Sequence, residues 1–265
     1  MSKTSIHPTA IVSESAQIGE GVTIGPYCVI GDKAKIGDNT VLKSHVCIEG
    51  KVKLGSGCTV SPFASFGPPQ DKKFANDDTS LVIGNNCKIF EHVTMNLGTV
   101  EGGGVTSVGD NGHFMVGVHI AHDCHVGNNV IMANNATLGG HVTVGNYAVL
   151  GGLSAVHQFV RIGDFAVVGG MSGVESDVIP YGRVKGERAF LAGLNLIGLE
   201  RNGFSKDDVK VLTKAFKDLF GNAGTLLERR EKVAQDYAGH EAVQKIISFA
   251  EQDSHFALCQ PKKKA

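Results

Sequence analysis

The chain has 265 residues, 25 basic and 26 acidic side chains, 35 glycines and no tryptophan. This balanced charge gives no argument for nucleic-acid binding, and glycine without a three-residue period excludes collagen. The start lacks the pattern of a signal peptide, and no apolar run reaches the roughly 18 residues that a spanning helix needs. We therefore expect a cytoplasmic protein without stable membrane insertion.

An apolar residue recurs every six positions from the N-terminus to about residue 174. A period of six fits neither an amphipathic helix nor a long pleated strand, whose periods are about 3.6 and about 2. It is typical of a parallel β-helix, in which three hexapeptides make one triangular coil and strands of successive coils lie about 4.8 Å apart. The column comprises Ile18, Ile24, Ile30, Ile36, Leu42, Ile48, Leu54, Val60 and Phe66, then Val108, Phe114, Ile120, Val126, Met132, Leu138, Val144, Leu150, Val156, Ile162, Val168 and Val174.

The repeat is interrupted near residues 67–82 and 99–107, where we expect loop insertions. A second column of small or β-branched residues follows the apolar one by four positions and includes Cys28, Cys58 and Cys124. This position favours packing inside the coils over metal binding. The six cysteines form no Cys-x-x-Cys pair, so we expect free thiols.

Helical signals replace the six-residue period in the C-terminal part. Ser205 is a predicted N-cap, Thr225 begins a capping box with Glu228, and residues 240–249 have the apolar spacing of a third helix. The prediction is mainly β: a β-helix over residues 1–187, then a small α-helical domain over residues 188–265. That domain is suited to cover an open end of the coils.

Polar residues crowd into one unbroken stretch of the repeat, between Val116 and Gly127. Residues 18 apart should stack on one another, whereas residues six apart occupy adjacent faces. His119 and His125 therefore belong to different faces. His122, by contrast, should share a groove with His141, almost one coil later.

Three interpretations of this stretch remain open. The spacing of His119, His122 and His125 resembles a run of zinc ligands, although the coil turns them to different faces. The histidines could also simply form hydrogen bonds along the surface. Catalysis is favoured, because Asp123 directly follows His122 and can fix the tautomer of a basic imidazole.

Several motifs in this order resemble the hexapeptide-repeat acyltransferases, and specifically the family of UDP-N-acetylglucosamine O-acyltransferases. The resemblance implies a left-handed β-helix and a homotrimer with active sites in clefts between subunits. The matching segments are His7–Val12, Val41–His45, Gln70–Asp71, Gly98–Gly104, His119–Cys124, Ala133–Leu138, Gly140–His141, Ala155–Phe159 and Arg201–Ser205.

The resemblance implies transfer of an (R)-3-hydroxyacyl group from acyl carrier protein to the 3-hydroxyl of the UDP-sugar, the first step of lipid A biosynthesis. In it, His122 is the general base, Asp123 orients the imidazole, and the Gly140 N–H stabilises the oxyanion. It implies no metal and no cofactor. The implied substrate contacts are Asp71, Lys73, His119, His141, Gln158, Asn195 and Arg201, and the acyl-chain groove contains Gly152, Gly170 and Met171.

The acidic carrier protein needs a basic docking surface, and basic residues are frequent in the predicted helices. An ordinary solvated helix face explains such charges about as well, and the resemblance favours docking. The residues are Arg201, Lys206, Lys210, Lys214, Lys217, Arg229, Arg230 and Lys232.

Departures from the family pattern concern the nucleotide site. Ile197 stands where the family commonly has Glu, Asn202 where a second Arg often follows, and residues 185–188 are poorer in amides. The uridine is then held differently, or the acceptor is a sugar with an amine at the 3-position. The chain could also be the sister N-acyltransferase of the same pathway, a non-catalytic scaffold or a zinc protein similar to γ-carbonic anhydrases.

Overall fold

The computed structural model of the protein describes residues 3–69 and 78–262. Two predicted substrate contacts, Asp71 and Lys73, lie outside the described residues. Within the described ranges, short strands form three parallel sheets, which are the sides of a triangular coil. The predicted β-helix is therefore confirmed.

The strands of each sheet come from every third segment of the chain. Among the described residues, the first sheet has 11 strands, the second nine and the third eight. The first contains β1 (Ser5–Ile6), β4 (Thr23–Ile24), β7 (Val41–Leu42), β10 (Thr59–Val60), β13 (Lys88–Ile89), β16 (His113–Phe114), β19 (Ile131–Met132), β22 (Val149–Leu150), β25 (Val167–Val168), β27 (Gly182–Lys185) and β28 (Phe190–Leu194). The second contains β2 (Ile11–Val12), β5 (Val29–Ile30), β8 (Cys47–Ile48), β11 (Ser65–Gly67), β14 (Thr94–Asn96), β17 (His119–Ile120), β20 (Thr137–Leu138), β23 (Ala155–Val156) and β26 (Gly173–Val174). The third contains β3 (Gln17–Ile18), β6 (Lys35–Ile36), β9 (Lys51–Leu54), β12 (Ser80–Ile83), β15 (Val105–Val108), β18 (His125–Val126), β21 (Thr143–Val144) and β24 (Arg161–Ile162).

The core is built from the two columns that the sequence predicts. The apolar residue that ends each two-residue strand points inward and is buried from β4 onward, as Ile24 and Ile30 show. Cys28, Cys58 and Cys124 are buried in the second column, and all six cysteines are free thiols. The packing role expected for this column is confirmed.

Register shifts mark the two insertions. Most paired residues are 18 apart, but Thr59 pairs with Lys88, which adds eleven residues to one coil. Ser80 pairs with Val105, which adds seven residues to the next coil. Both register shifts fall where the sequence predicts an interruption of the repeat, and the second insertion folds against the site described below.

Each coil turns at three corners, which we number in chain order. The first corner joins the first sheet to the second, the second corner joins the second sheet to the third, and the third corner returns to the first sheet. Many corner residues are not glycine yet have positive φ, including Asp123 at 59° and His141 at 63°. Such residues are uncommon, and they turn the chain tightly while still presenting a side chain.

The C-terminal region folds back over the last coil. The strand β28 pairs antiparallel with β27, and four helices follow: α1 (Leu196–Arg201), α2 (Lys206–Leu219), α3 (Leu226–Asp236) and α4 (Glu241–Glu251). Thr225 forms the predicted capping box with Glu228, and Ser205, predicted as an N-cap, also forms the two reciprocal bonds of a capping box with Asp208. Helix α1, which Asn195 caps, was not predicted from the sequence. No helix in the described ranges is long and apolar enough to cross a membrane.

Candidate active site

His122 and Asp123 form a hydrogen-bonded pair at the second corner. Between β17 and β18 the chain turns through the left-handed conformation of Asp123, so the two side chains meet instead of diverging as strand neighbours do. Nδ1 of His122 lies 2.7 Å from Oδ2 of Asp123. The Asp123 side chain is 1% exposed and that of His122 is 22% exposed, so a buried carboxylate supports an accessible imidazole.

The second insertion holds Asp123 in place. The backbone N–H of Thr99 donates to Oδ1 of Asp123 at 2.7 Å, and the Thr99 hydroxyl donates to Oδ2 at 2.6 Å. Burial alone would raise the pKa of Asp123, but the bonds from Thr99 and His122 outweigh it and lower the pKa below its usual value. Gly102 lies so close that an added Cβ would fall 2.1 Å from the Asp123 carboxyl carbon. Neither Thr99 nor Gly102 was predicted from the sequence as a site residue, although the Gly-rich break in the repeat was an available signal.

His141 stacks one coil above, as the spacing predicts. Its ring is perpendicular to that of His122 with centroids 5.1 Å apart, and its Nε2 lies 3.7 Å from Oδ2 of Asp123. Burial lowers the pKa of His141 against the opposing influence of Asp123. One ligand atom from each of the three residues lies within 4.8 Å of the others, a separation that a metal ion could bridge. However, Oδ2 of Asp123 already accepts bonds from His122 and Thr99.

Gly140 packs directly against the His122 ring. A Cβ added to Gly140 would lie 2.6 Å from Cε1 and 2.8 Å from Nε2 of His122. In the described part of the chain, no residue accepts a hydrogen bond from the Gly140 N–H. The Gly140 N–H therefore lies next to the accessible imidazole of His122 and has no acceptor among the described residues. A backbone N–H in this position can donate a hydrogen bond to an oxyanion that forms beside the imidazole.

The other histidines of this stretch separate as the coil geometry predicts. His119 lies on the second sheet, and its Nδ1 is 2.7 Å from the Thr94 hydroxyl. Burial, then the nearby His122, lowers the pKa of His119. His125 lies on the third sheet beside Ser107, and His113 lies on the first. The three do not form one cluster.

The remaining predicted site residues are spread over the molecule. Gln158 is exposed at the second corner, two coils from His122. Asn195 caps α1: its Oδ1 accepts from the Gly198 N–H, and its Nδ2 donates to the Phe165 carbonyl. Arg201 is exposed in the last turn of α1. The side-chain amide of Asn195 is therefore already engaged within the chain.

The predicted acyl-groove residues lie at the first corner rather than the second. Gly152 and Gly170 stack there one coil apart, and the Met171 N–H donates to the Gly152 carbonyl at 2.9 Å. Met171 is 73% exposed. One chain therefore carries the groove residues and the His122–Asp123 pair on different corners.

Several predicted docking residues are already paired. Lys210 contacts Asp207 and Lys232 contacts Asp236. Arg229 donates to three carbonyl groups, one in the last residue of α2 and two in the loop after it. Within the described ranges, Arg201, Lys206 and Lys217 form no ion pair. The surface left for an acidic partner is smaller than the sequence suggests.

The fold and the paired imidazole and carboxylate define a class, the left-handed β-helix acyltransferases of the hexapeptide-repeat type. A family model described as "Udp N-acetylglucosamine O-acyltransferase; Domain 2" matches residues 177–258. The chain belongs to the UDP-N-acetylglucosamine O-acyltransferase family.

The supporting relatives match over nearly the whole chain. Proteins named acyl-[acyl-carrier-protein]–UDP-N-acetylglucosamine O-acyltransferase from Rickettsia felis and Rickettsia canadensis are 50% and 49% identical, covering 99% and 98% of this chain and 100% and 98% of theirs. The UDP-N-acetylglucosamine acyltransferase structure from Campylobacter jejuni is 39% identical with a TM-score of 0.92, covering 97% of this chain and all of its own. The enzyme structure from Moraxella catarrhalis is 40% identical, also with a TM-score of 0.92, and covers 96% and 99%.

Proposed function

We propose that this protein transfers an (R)-3-hydroxyacyl group from acyl carrier protein to the 3-hydroxyl of UDP-N-acetylglucosamine, the first step of lipid A biosynthesis. The observation that carries this proposal is the His122–Asp123 pair at 2.7 Å, set against the Gly140 backbone. Family membership supplies the substrate class. Because these substrates are cytoplasmic, we also propose a cytoplasmic location.

In the proposed mechanism, His122 is the general base. Its Nδ1 is bonded to Asp123, so Nε2 takes the proton as the sugar oxygen attacks the thioester carbon. The carbonyl oxygen becomes an oxyanion that accepts a hydrogen bond from the Gly140 N–H. Collapse of the tetrahedral intermediate breaks the C–S bond, and the imidazolium returns its proton to the thiolate. The sugar ester and the free thiol of the carrier are the products.

Asp123 has two roles in this mechanism. Its bond fixes the tautomer of His122, and its charge stabilises the imidazolium that forms during the reaction. The lowered pKa of Asp123 keeps the carboxylate ionised at neutral pH. A positioned base contributes about 10²–10⁴-fold, and one oxyanion donor about 10²–10³-fold.

We further propose that the active unit is a homotrimer with clefts between subunits. The groove residues and His122 lie on different corners of one chain, so a second copy has to supply one of them. The first corner also exposes large apolar side chains, including Tyr27, Phe63 and Leu153, which a neighbouring subunit would cover. Arg201, Lys206 and Lys217 are the basic residues proposed to dock the carrier protein.

The acceptor atom is tested by an assay with two sugars. Purified protein is given acyl carrier proteins of graded chain length with UDP-N-acetylglucosamine or its 3-amino analogue. The proposal predicts an ester product that mild alkali cleaves. An alkali-stable amide formed only on the 3-amino sugar would show that the acceptor is an amine. An altered acceptor would also account for Ile197 standing where the family commonly has Glu. No transfer with any donor and either sugar would refute the proposal.

A further inference from the structure

A column of rings continues along the second corner beyond the His122–Asp123 pair. The ring of His141 stacks on Phe159, with centroids 4.4 Å apart and an interplanar angle of 7°. These residues are 18 apart and share the left-handed backbone conformation of the corner. One coil further, the equivalent corner position is Asp177. The ring column would end there if the coil alone formed it.

Asp177 turns into the protein instead of extending the column. It is fully buried, and its carboxylate accepts bonds from the backbone N–H and from Nε of Arg161, both at 2.8 Å. The place next to Phe159 is taken by His255, whose ring centroid lies 4.5 Å away. The C-terminal segment Ser254–Cys259, which we call the strap, therefore adds the next ring.

The strap is held in place by Asp177 and Arg161. The Ser254 hydroxyl donates to Oδ2 of Asp177 at 2.5 Å, the Asp177 N–H donates to the Ala257 carbonyl, and the Cys259 N–H donates to the Asp177 carbonyl. The guanidinium of Arg161 also bonds Gln252 and the Phe249 carbonyl at the end of α4. The position of His255 beside Phe159 is thus fixed by buried polar contacts.

His255 presents an accessible imidazole at the end of this column. Phe256, its neighbour in the strap, packs edge-on against His157, whose imidazole is also exposed. Over residues 3–69 and 78–262, neither ring lies within ion-pair distance of a carboxylate. An imidazole N–H in such a position can donate to an anionic oxygen.

We propose that His255 forms a phosphate-binding subsite at the strap end of the active site, donating a ring N–H to a phosphate oxygen of a substrate. This inference depends on the proposed acyl transfer. Both substrates offer the required group, since the carrier's pantetheine arm has a phosphodiester and the UDP-sugar a diphosphate. The influence of His255 on the pKa of His141, after those of burial, Asp123 and His122, agrees with its facing the same groove.

The test separates loss of the N–H donor from loss of the ring. His255→Phe keeps an aromatic ring against Phe159 but removes the donor. It should raise KM for one substrate about 3- to 10-fold with kcat within about twofold, because a single hydrogen bond has that net value. A rise for the carrier substrate assigns the phosphodiester, and a rise for the UDP-sugar assigns the diphosphate. If the diphosphate is the group bound, inhibition by inorganic pyrophosphate should weaken by the same factor as the KM for the UDP-sugar rises.

Controls distinguish this subsite from a packing effect. His7→Phe makes the same change on the first coil and should leave both KM values unchanged. If His255→Phe lowers Tm, the pair His255→Gln and His255→Leu decides, because only Gln retains an N–H donor and should stay near wild type. Unchanged KM values in the Phe and Leu variants of an active enzyme would overturn the subsite alone. An inactive wild-type protein would instead refute the proposed function.

Discussion

Gly140 is the residue at which a single methyl group tests the site geometry. In Gly140→Ala, the new Cβ would lie 2.6 Å from Cε1 of His122, so the ring has to turn away from its bond to Asp123. We expect kcat to fall by about 10²-fold, since such misplacement has that effect, while Tm stays nearly constant. Steady-state kinetics and thermal unfolding measure both.

Gly239→Ala is the matched control for this substitution. An added Cβ at Gly239 meets nothing within 4 Å, so neither kcat nor Tm should change. Near-normal turnover in Gly140→Ala would mean that the position of the His122 ring is not critical.

The half-buried histidines His119 and His141 should also make stability depend on pH. Burial lowers the pKa values of His119 and His141 below 6.5, so the unfolded chain binds more protons than the folded one just below that pH. The free energy of unfolding should therefore decrease as pH falls below 6.5 and level off above it. Urea midpoints between pH 5 and 8, at one protein concentration, measure this. His119→Gln should make the urea midpoint depend less steeply on pH. A wild-type midpoint that stays constant between pH 5 and 8 would contradict the claim that burial lowers these two pKa values.

At the scale of elements, the second insertion holds the Asp123 carboxylate in place through hydrogen bonds from Thr99. Thr99→Val keeps the backbone N–H bond but leaves Oδ2 of Asp123 without its hydroxyl donor. Oδ2 keeps its bond to Nδ1 of His122, but the buried carboxylate loses one hydrogen bond and the Gly102 N–H loses one of its two acceptors. These losses should cost about 1–3 kcal/mol of stability, and the looser carboxylate should lower kcat about 10-fold. Urea unfolding and kinetics should show both losses. Thr137→Val, which removes only a 3.4 Å bond to a local carbonyl, should show neither. Equal behaviour of the two variants would remove this role from Thr99.

Elements defined by local sequence patterns could be predicted from the sequence, whereas contacts between distant segments could not. The coils were readable because their register is local and periodic, and the capping boxes of α2 and α3 because Ser205 and Thr225 precede acidic partners by three residues. The support from Thr99 was not readable, since it crosses 24 residues and begins inside an insertion, where the repeat gives no register. The strap was equally hidden, because its contacts with Asp177 join the last coil to a segment 77 residues later in the chain. The division of the chain at residue 187 stays a prediction.

At the scale of the whole molecule, the proposed trimer would bring the groove residues of one chain beside His122 of another. Light scattering should give about three times the 27.9 kDa chain mass. Phe63→Asp places a charge on an apolar side chain of the first corner that is 52% exposed, so it should reduce the mass and abolish activity. Leu227→Asp, an equally exposed change on α3, should leave the mass unchanged. An active monomer would contradict the proposed cleft.

The proposed role of His122 is tested most directly by its removal. Turnover of acylated carrier protein and UDP-N-acetylglucosamine is compared in wild type and His122→Ala, with mass and Tm measured for each. The account predicts that kcat falls by about 10²–10⁴-fold while mass and Tm are retained. Near-normal turnover in the folded His122→Ala variant would contradict it.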